Sequence, residues 1–110
     1  MKALLIPAFG AVEEVEQAGL GDLQRLLDGH VEALSVDGRE DAAAYVNEEG
    51  LLEGLADNPR ATQLLGIQIA GPAVLCGFDP TTGEQRPIPD DLVEAVLAAS
   101  ASTSSDPADD

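Results

Sequence analysis

The sequence predicts an α+β domain, in which a small, mainly antiparallel sheet carries about three short helices on one face. Short apolar runs of strand length stand between Gly and Pro turn signals, as in residues 2–7 (KALLIP) and 73–78 (AVLCGF). Helix start and stop signals bracket three other segments, near residues 22–29, 58–66 and 91–99. Along the chain the order is strands, helix, hairpin, helix, strands, helix, and this mixed order favours the α+β class.

The N-terminal part predicts two strands followed by a helix. Residues 2–7 fit a buried strand that Pro7 ends. Residues 11–17 (AVEEVEQ) fit either one face of a helix or an acidic edge strand, and the edge strand is the favoured interpretation. Asp22 is the expected N-cap of the first helix, because its carboxylate can accept hydrogen bonds from first-turn amides. Gly29 is expected to supply the left-handed residue that ends this helix.

A hairpin is predicted next. Residues 30–36 (HVEALSV) partly alternate in polarity and fit a strand. Residues 37–38 (DG) fit a tight hairpin turn, because Gly tolerates the positive φ that such turns need, and residues 42–46 fit the returning strand. A second turn is predicted at residues 48–50 (EEG). The leucines that follow this turn are expected to cover part of the core: Leu51, Leu52 and Leu55.

The clearest helix start in the chain is Asn58-Pro59. Asn caps helices well, and Pro at the first helical position loses no hydrogen bond, because that amide has no partner inside the helix. Gly66 is expected to end this helix. Residues 67–70 and 73–78 are apolar runs separated by Gly-Pro, and they fit either one bent strand or two paired strands.

The C-terminal part predicts an exposed polar loop at residues 79–88 and then a final helix. Asp91 and Glu94 fit a capping box at the start of that helix. Residues 1–99 are therefore expected to form a single α+β domain. Residues 100–110 (SASTSSDPADD) are a low-complexity acidic tail, expected to be disordered because it cannot bury enough apolar surface to offset its ordering entropy.

Twenty-one acidic residues against five basic residues give the chain a net charge of −16. Such a surface repels nucleic acid and anionic membranes, so direct nucleic-acid binding and membrane binding are poor candidates for its function. Three interpretations of the charge stay open: an adaptation for solubility in a salty, halophilic-like cytoplasm, an acidic partner for a basic protein, or a property incidental to a small-molecule or metal site. The single cysteine, Cys76, and the lack of a secretory signal predict a cytoplasmic protein.

Five polar residues are the candidates for a ligand site. Asn47 and Glu48 could offer oxygen ligands, but a structural turn is the favoured interpretation, because lone carboxylates lack the ligand count of a calcium loop. Asn58, Arg60 and Thr62 open the second helix, and Arg60 could clamp a phosphate or carboxylate there. A helix cap with an exposed arginine is the simpler interpretation of the same three residues.

His30 and Cys76 are the other candidates for chemistry, and neither is predicted to be catalytic. His30 has no nucleophile placed for it to activate, and a favourable contact with the end of the preceding helix explains its position. Cys76 lies in an apolar run and fits a small buried hydrophobe. The sequence contains no P-loop, CxxC, GxSxG or HExxH motif. We therefore expect no enzymatic activity, no metal site and no cofactor.

Several short stretches together resemble a known family. They are residues 45–50 (YVNEEG), 58–62 (NPRAT) and 71–75 (GPAVL), with the openings KALLIP and HVEALSV in support, and the resemblance spans roughly residues 1–97. The chain is similar to short uncharacterised proteins, known only as a domain of unknown function, that occur in phages, plasmids and their bacterial hosts. The resemblance implies an accessory gene on a mobile element and no specific activity. Residues that fit the family pattern are Asn47, Glu48, Gly50, Asn58, Ala61, Thr62 and Gly71.

The function expected from the sequence is that of a small, non-enzymatic accessory protein whose acidic face binds a basic protein surface. In its most specific form this is a DNA mimic, or an inhibitor of a host defence or DNA-handling protein. One alternative is a module that binds a small molecule or anion between residues 47–50 and 58–62. Another is that the acidity is only an adaptation to salt.

Overall fold

The computed structural model describes residues 1–36 and 38–105 of the chain. These residues form six strands and three helices, which confirms the α+β class. The elements in chain order are β1 (Lys2–Ile6), β2 (Glu13–Glu16), α1 (Leu20–Leu27), β3 (Val31–Val36), β4 (Arg39–Asn47), α2 (Pro59–Leu65), β5 (Ala73–Phe78), β6 (Gln85–Arg86) and α3 (Asp90–Ser105).

β5 lies in the middle of the sheet. The strand order is β2-β1-β5-β4-β3, all described neighbours are antiparallel, and β6 pairs with the end of β5. On β5, Leu75 lies between Leu4 of β1 and Ala44 of β4. β5 is buried from Ala73 to Gly77. Its apolar sequence without alternation suits a strand that is covered on both faces.

The helices lie on both faces of the sheet, so the prediction that they share one face is wrong. Leu23 and Leu27 of α1 pack with Ala3 and Val74 on one face. Helices α2 and α3 pack on the other face, against strand residues such as Leu75. Successive strand residues point to opposite faces, and an unbroken apolar run such as β5 therefore has two faces to cover. The expectation of one covered face overlooked this property of β5.

The first helix differs from the prediction at both ends. α1 begins at Leu20 after Gly19, so Asp22 lies inside the helix and is not its N-cap. The Asp22 carboxylate instead accepts a hydrogen bond from the amide of Ala18, at 2.7 Å. The left-handed residue that ends the helix is Asp28, with φ of 60°, and not Gly29. Asp is one of the few residues besides Gly that adopt this conformation readily. The general preference for Gly therefore predicted Gly29, whereas its neighbour Asp28 adopts the conformation.

The second helix is confirmed at both ends. Asn58 caps α2, Pro59 is its first residue, and Gly66 ends it in the left-handed conformation with φ of 77°. The following segment, residues 67–70, forms no strand and contributes one isolated bridge, between Asp57 and Ala70.

The C-terminal part contains more regular structure than predicted. The loop at residues 79–88 includes the short strand β6. α3 begins at Asp90, one residue before the predicted cap Asp91, and continues to Ser105, beyond the predicted end near residue 99. The added residues, 100–105 (SASTSS), are mostly Ser and Thr, whose helix propensity is lower than that of Ala. The rest of the predicted tail, residues 106–110, lies outside the described residues. No helix in the described part of the chain has both the length and the apolar character needed to cross a membrane.

Candidate functional site

Asn47 joins the end of α1 to the end of β4. Its side chain is buried, and its Nδ2 donates to the carbonyl oxygens of Leu27, at 3.1 Å, and Asp28, at 3.2 Å. Its Oδ1 accepts a hydrogen bond from the amide of Glu49, at 2.8 Å, in the manner of an Asx turn. Every polar atom of this side chain therefore has a backbone partner.

Glu48 lies on the surface beside this turn. Its backbone amide donates to the carbonyl oxygen of His30, at 2.8 Å, which extends the pairing of β3 with β4 by one residue. Its side chain is exposed. Of the five candidate residues, Glu48 is thus the one that offers a carboxylate to solvent.

Asn58 joins three parts of the fold. Its side chain is completely buried, with 0% exposure. Its Nδ2 donates to the carbonyl oxygens of Ile6, at 3.0 Å, and Gly71, at 2.9 Å. Its Oδ1 caps α2 by accepting from the amide of Ala61, at 3.1 Å. One side chain thereby connects the end of β1, the start of α2 and the segment that leads into β5.

Arg60 and Thr62 extend the same set of contacts. One terminal nitrogen of Arg60 donates to the carbonyl oxygens of Pro7 and Gly10, both at 2.7 Å. Thr62 Oγ1 accepts from the amide of Ile69, at 2.9 Å. These contacts are sufficient to explain both residues structurally. Binding of an anion by them stays a prediction.

The two halves of the predicted ligand site meet on one segment of the chain, residues 69–71. Asn58 and Thr62 bond to this segment from one side, as described above. On the other side, a groove of about 350 Å³ contains Asn47 and Glu48 in its lining, and the lining does not include Asn58, Arg60 or Thr62.

This groove is lined by apolar side chains and by acids, and we call it the acidic groove. Leu51, Leu52 and Ile67 form its walls and are 57%, 88% and 51% exposed. The expectation that Leu51 and Leu52 cover the core is therefore wrong. They belong to a run of tight turns between Gly50 and Gly54, which carries them outward instead of laying them on the sheet. The lining residues are Glu32, Leu34, Val46, Asn47, Glu48, Gly50, Leu51, Leu52, Ile67, Gln68, Ile69 and Ala70.

A second concave surface lies on the sheet face that α1 covers. It encloses about 720 Å³, its floor consists of the small residues Ala33, Ser35 and Ala43, and its walls include Tyr45 and Phe78. α1 has eight residues, so it is only about 12 Å long at 1.5 Å per residue. A helix of that length leaves part of a wide sheet uncovered, which accounts for this surface.

A buried polar network on the same face was not predicted from the sequence. Gln17 Nε2 donates to Gln85 Oε1, at 2.9 Å, and lies 3.5 Å from the Cys76 sulfur. Gln85 Nε2 donates to the Tyr45 hydroxyl, at 3.0 Å. The Oε1 of Gln17 is buried without a hydrogen-bond partner among the described residues. Side-chain amides do not titrate, so neither Gln17 nor Gln85 can act as a general acid or base.

Burial raises the pKa of the Cys76 thiol to about 11. The side chain has 0% exposure. The thiolate, which is the reactive form, is therefore scarce at neutral pH and inaccessible to reagents.

We expect Cys76 to resist alkylation by iodoacetamide at pH 8 in the folded protein and to react fully in denaturant, because only unfolding exposes it. Time-resolved mass spectrometry measures both rates. Labelling in native buffer at the rate of a free cysteine would contradict the buried position of this residue.

The basic side chains bond to acids and carbonyl oxygens of the protein itself. Arg60 bonds to carbonyl oxygens, as described above. Asp79 illustrates the effect on the acids: the amide of Thr81 and then the Arg86 guanidinium hold the pKa of its carboxyl below the usual range. The ion pairs of the other basic side chains are Lys2 with Asp90 (3.0 Å), Arg25 with Asp22, Arg39 with Asp41 (2.8 Å) and Asp91 (3.2 Å), and Arg86 with Asp79 (3.1 Å) and Glu84 (3.5 Å).

The described residues include no group of three His, Cys, Asp or Glu side chains that could hold a metal ion. A hard cation needs several oxygens that converge on one point.

Comparison with known families gives a match. The model of a family described as a domain of unknown function (DUF3846) matches residues 1–100. No curated protein and no solved structure gives a significant match.

Proposed function

The chain belongs to the DUF3846 family, a domain of unknown function, and we propose that it is a non-enzymatic accessory protein that binds a basic surface of a partner protein. The observation that carries this proposal is that the few basic side chains already bond to groups of the same chain. Among the described residues, four of the five basic side chains form ion pairs with nearby acids, and Arg60 bonds to backbone carbonyls. What the protein presents to a partner is therefore mainly negative.

This arrangement has a physical consequence for binding. The chain has a net charge of −16, and its basic side chains already have partners nearby in the same chain. The surrounding field attracts a basic partner over a distance of about 10 Å at 0.1 M salt and repels nucleic acid. Electrostatic complementarity of this kind accelerates association and selects among partners more than it adds affinity.

The chemistry of the buried groups also supports a non-enzymatic role. Cys76 is protonated at neutral pH, the side-chain amides of Gln17 and Gln85 do not titrate, and the candidate residues Asn47 and Asn58 bond to backbone. The proposal places both the protein and its partner in the cytoplasm. In its most specific form the partner is a host defence or DNA-handling protein whose DNA-binding surface the acidic face imitates.

We expect a tagged form of the protein to capture a basic protein from bacterial lysate at moderate salt, because exposed acids attract it, and to release it over a salt gradient. Mass spectrometry of the eluted fractions identifies the protein. An acidic peptide of equal net charge, treated in the same way, is the control.

Capture of the same proteins by the peptide, at the same salt, would contradict a specific partner. The adaptation to salt would then be the better explanation of the charge. It predicts a melting temperature that rises strongly between low and molar salt, because salt screens the repulsion among the acids.

A further inference from the structure

We propose that the acidic groove is the docking site for the partner, and that its occupant is a basic amphipathic segment: one large apolar side chain flanked by Lys or Arg. This inference rests on the proposed function and adds to it the place of binding and the chemistry of the bound segment. The acidic groove lies where the turns of residues 48–54 and the segment 67–70 meet the edge strand β3.

The apolar part of the acidic groove is suited to hold one large side chain. Its floor contains Val46 and Ile69, which are buried, and its walls contain the exposed Leu51, Leu52 and Ile67. An inserted apolar side chain would cover these walls and remove their surface from water. Burying one leucine fully corresponds to roughly tenfold to a hundredfold in affinity.

The walls are held in place before any partner binds. In the turns, the amide of Glu53 donates to the carbonyl oxygen of Glu49, at 2.8 Å, and that of Leu55 to the carbonyl oxygen of Gly50, at 3.0 Å. Gly50 packs so closely on the next segment that a Cβ added there would lie 2.5 Å from the carbonyl oxygen of Ala70. A site that is already ordered loses less entropy when it binds its partner.

The charged part of the acidic groove favours Lys or Arg on either side of the apolar side chain of the bound segment. Glu32 and Glu48 belong to its lining, and Glu49 and Glu53 are exposed on the adjacent turns. The lining contains no Lys or Arg. Lys or Arg on either side of the apolar anchor would meet these carboxylates and form charge-assisted hydrogen bonds.

The same charges disfavour a second copy of this chain as the occupant. A symmetric dimer through the acidic groove would place Glu32 and Glu48 of one copy near those of the other, and like charges at an interface oppose association. Anionic lipids are disfavoured for the same reason. Charge complementarity therefore favours a basic protein segment.

The test compares two synthetic peptides of equal positive charge. In one, lysines surround a single leucine; in the other, a serine replaces this leucine. We expect the leucine peptide to bind at least about tenfold more tightly in fluorescence anisotropy, because only it fills the acidic groove. Leu52→Ala should remove most of this difference. The double variant Glu32→Gln, Glu48→Gln should weaken binding of both peptides and reduce the dependence on salt.

Matched controls lie away from the acidic groove. Leu20 is 60% exposed on α1 and Glu14 is exposed on the edge strand β2. Leu20→Ala removes one exposed leucine side chain and Glu14→Gln removes one exposed carboxylate, both outside the acidic groove. Each should leave the affinity of the leucine peptide within about twofold of the original value, because neither side chain contacts a segment bound in the acidic groove. Circular dichroism checks that all variants keep the fold.

Three outcomes would overturn the inference. If both peptides bind with equal affinity, or if Leu20→Ala weakens binding as much as Leu52→Ala does, the acidic groove is not the binding site. The proposed function would be unaffected by that result. If neither peptide binds at low salt, the result would contradict the proposed function as well. Dimerisation in sedimentation experiments that Leu52→Ala abolishes would assign the acidic groove to a second copy of the chain.

Discussion

Replacing Asn58 by alanine is expected to lower the free energy of unfolding by about 3–5 kcal/mol, a large part of the stability of a domain of this size. Loss of the cap on α2 costs about 1 kcal/mol. The carbonyl oxygens of Ile6 and Gly71 lose their donor in a buried site, and each unsatisfied group adds about 1–3 kcal/mol. Urea unfolding followed by circular dichroism measures the change.

Asn58→Ser separates the two contributions. Serine caps a helix as well as asparagine does, but it is too short to supply both donors. We expect it to recover about 1 kcal/mol relative to alanine and to remain well below the original protein. If alanine costs less than about 1 kcal/mol, the hydrogen bonds that join β1, α2 and the start of β5 do not stabilise the fold as we infer.

Asn58 also shows what a sequence reveals and what it does not. Its role as a cap depends on the next three residues, and the sequence predicts it correctly. Its bonds to Ile6 and Gly71 connect positions 52 and 13 residues away. No local pattern contains that information, because a side-chain amide that caps a helix and one that also joins strands look the same in sequence. The contacts of Arg60 with Pro7 and Gly10 are distant in the same way, at 53 and 50 residues.

The fold class was predictable because it depends on local periodicity, which identified β1, β5 and α2 closely. Other features depend on packing. β6 has two residues, too few for a period to be recognised, and it pairs only because β5 passes beside it. The exposure of Leu51 and Leu52 depends on where the turns of residues 48–54 sit against Ala70, and an apolar pattern alone predicts burial for such residues.

The residues that fit the family pattern gather around one place in the structure. Gly50 and Gly71 illustrate this: a Cβ at Gly50 would approach the carbonyl oxygen of Ala70, and one at Gly71 would lie 2.7 Å from the Leu55 side chain. Asn58 and Thr62 bond to the same segment, residues 69–71. The pattern therefore has a structural explanation at most of its positions, whereas Glu48 is exposed and lines the acidic groove. Among these residues, Glu48 is the one that a binding role would best explain.

Replacing Gly77 by alanine is expected to lower the free energy of unfolding by about 3 kcal/mol, at the upper end of overpacking effects. A Cβ at this position would lie 2.2 Å from the carbonyl oxygen of Pro87 and 2.9 Å from that of Arg86. Both obstacles are backbone atoms, so no side-chain rotation relieves the clash. The chain after β5 must move away, and the hydrogen bond from the Ile88 amide to the Lys2 carbonyl oxygen, at 3.0 Å, is lost.

Gly21→Ala is the matched control for this substitution, because the same methyl group enters open space. Gly21 lies within α1, and a Cβ there has no neighbour within 4 Å. Alanine should stabilise the protein by about 0.5–1 kcal/mol, since it restricts the unfolded chain and favours helix. Urea unfolding gives both values, and hydrogen exchange at the Ile88 amide should accelerate in Gly77→Ala alone. If Gly77→Ala lowers the free energy of unfolding by less than about 0.5 kcal/mol, the close packing of residues 86–88 across β5 is not required for the fold.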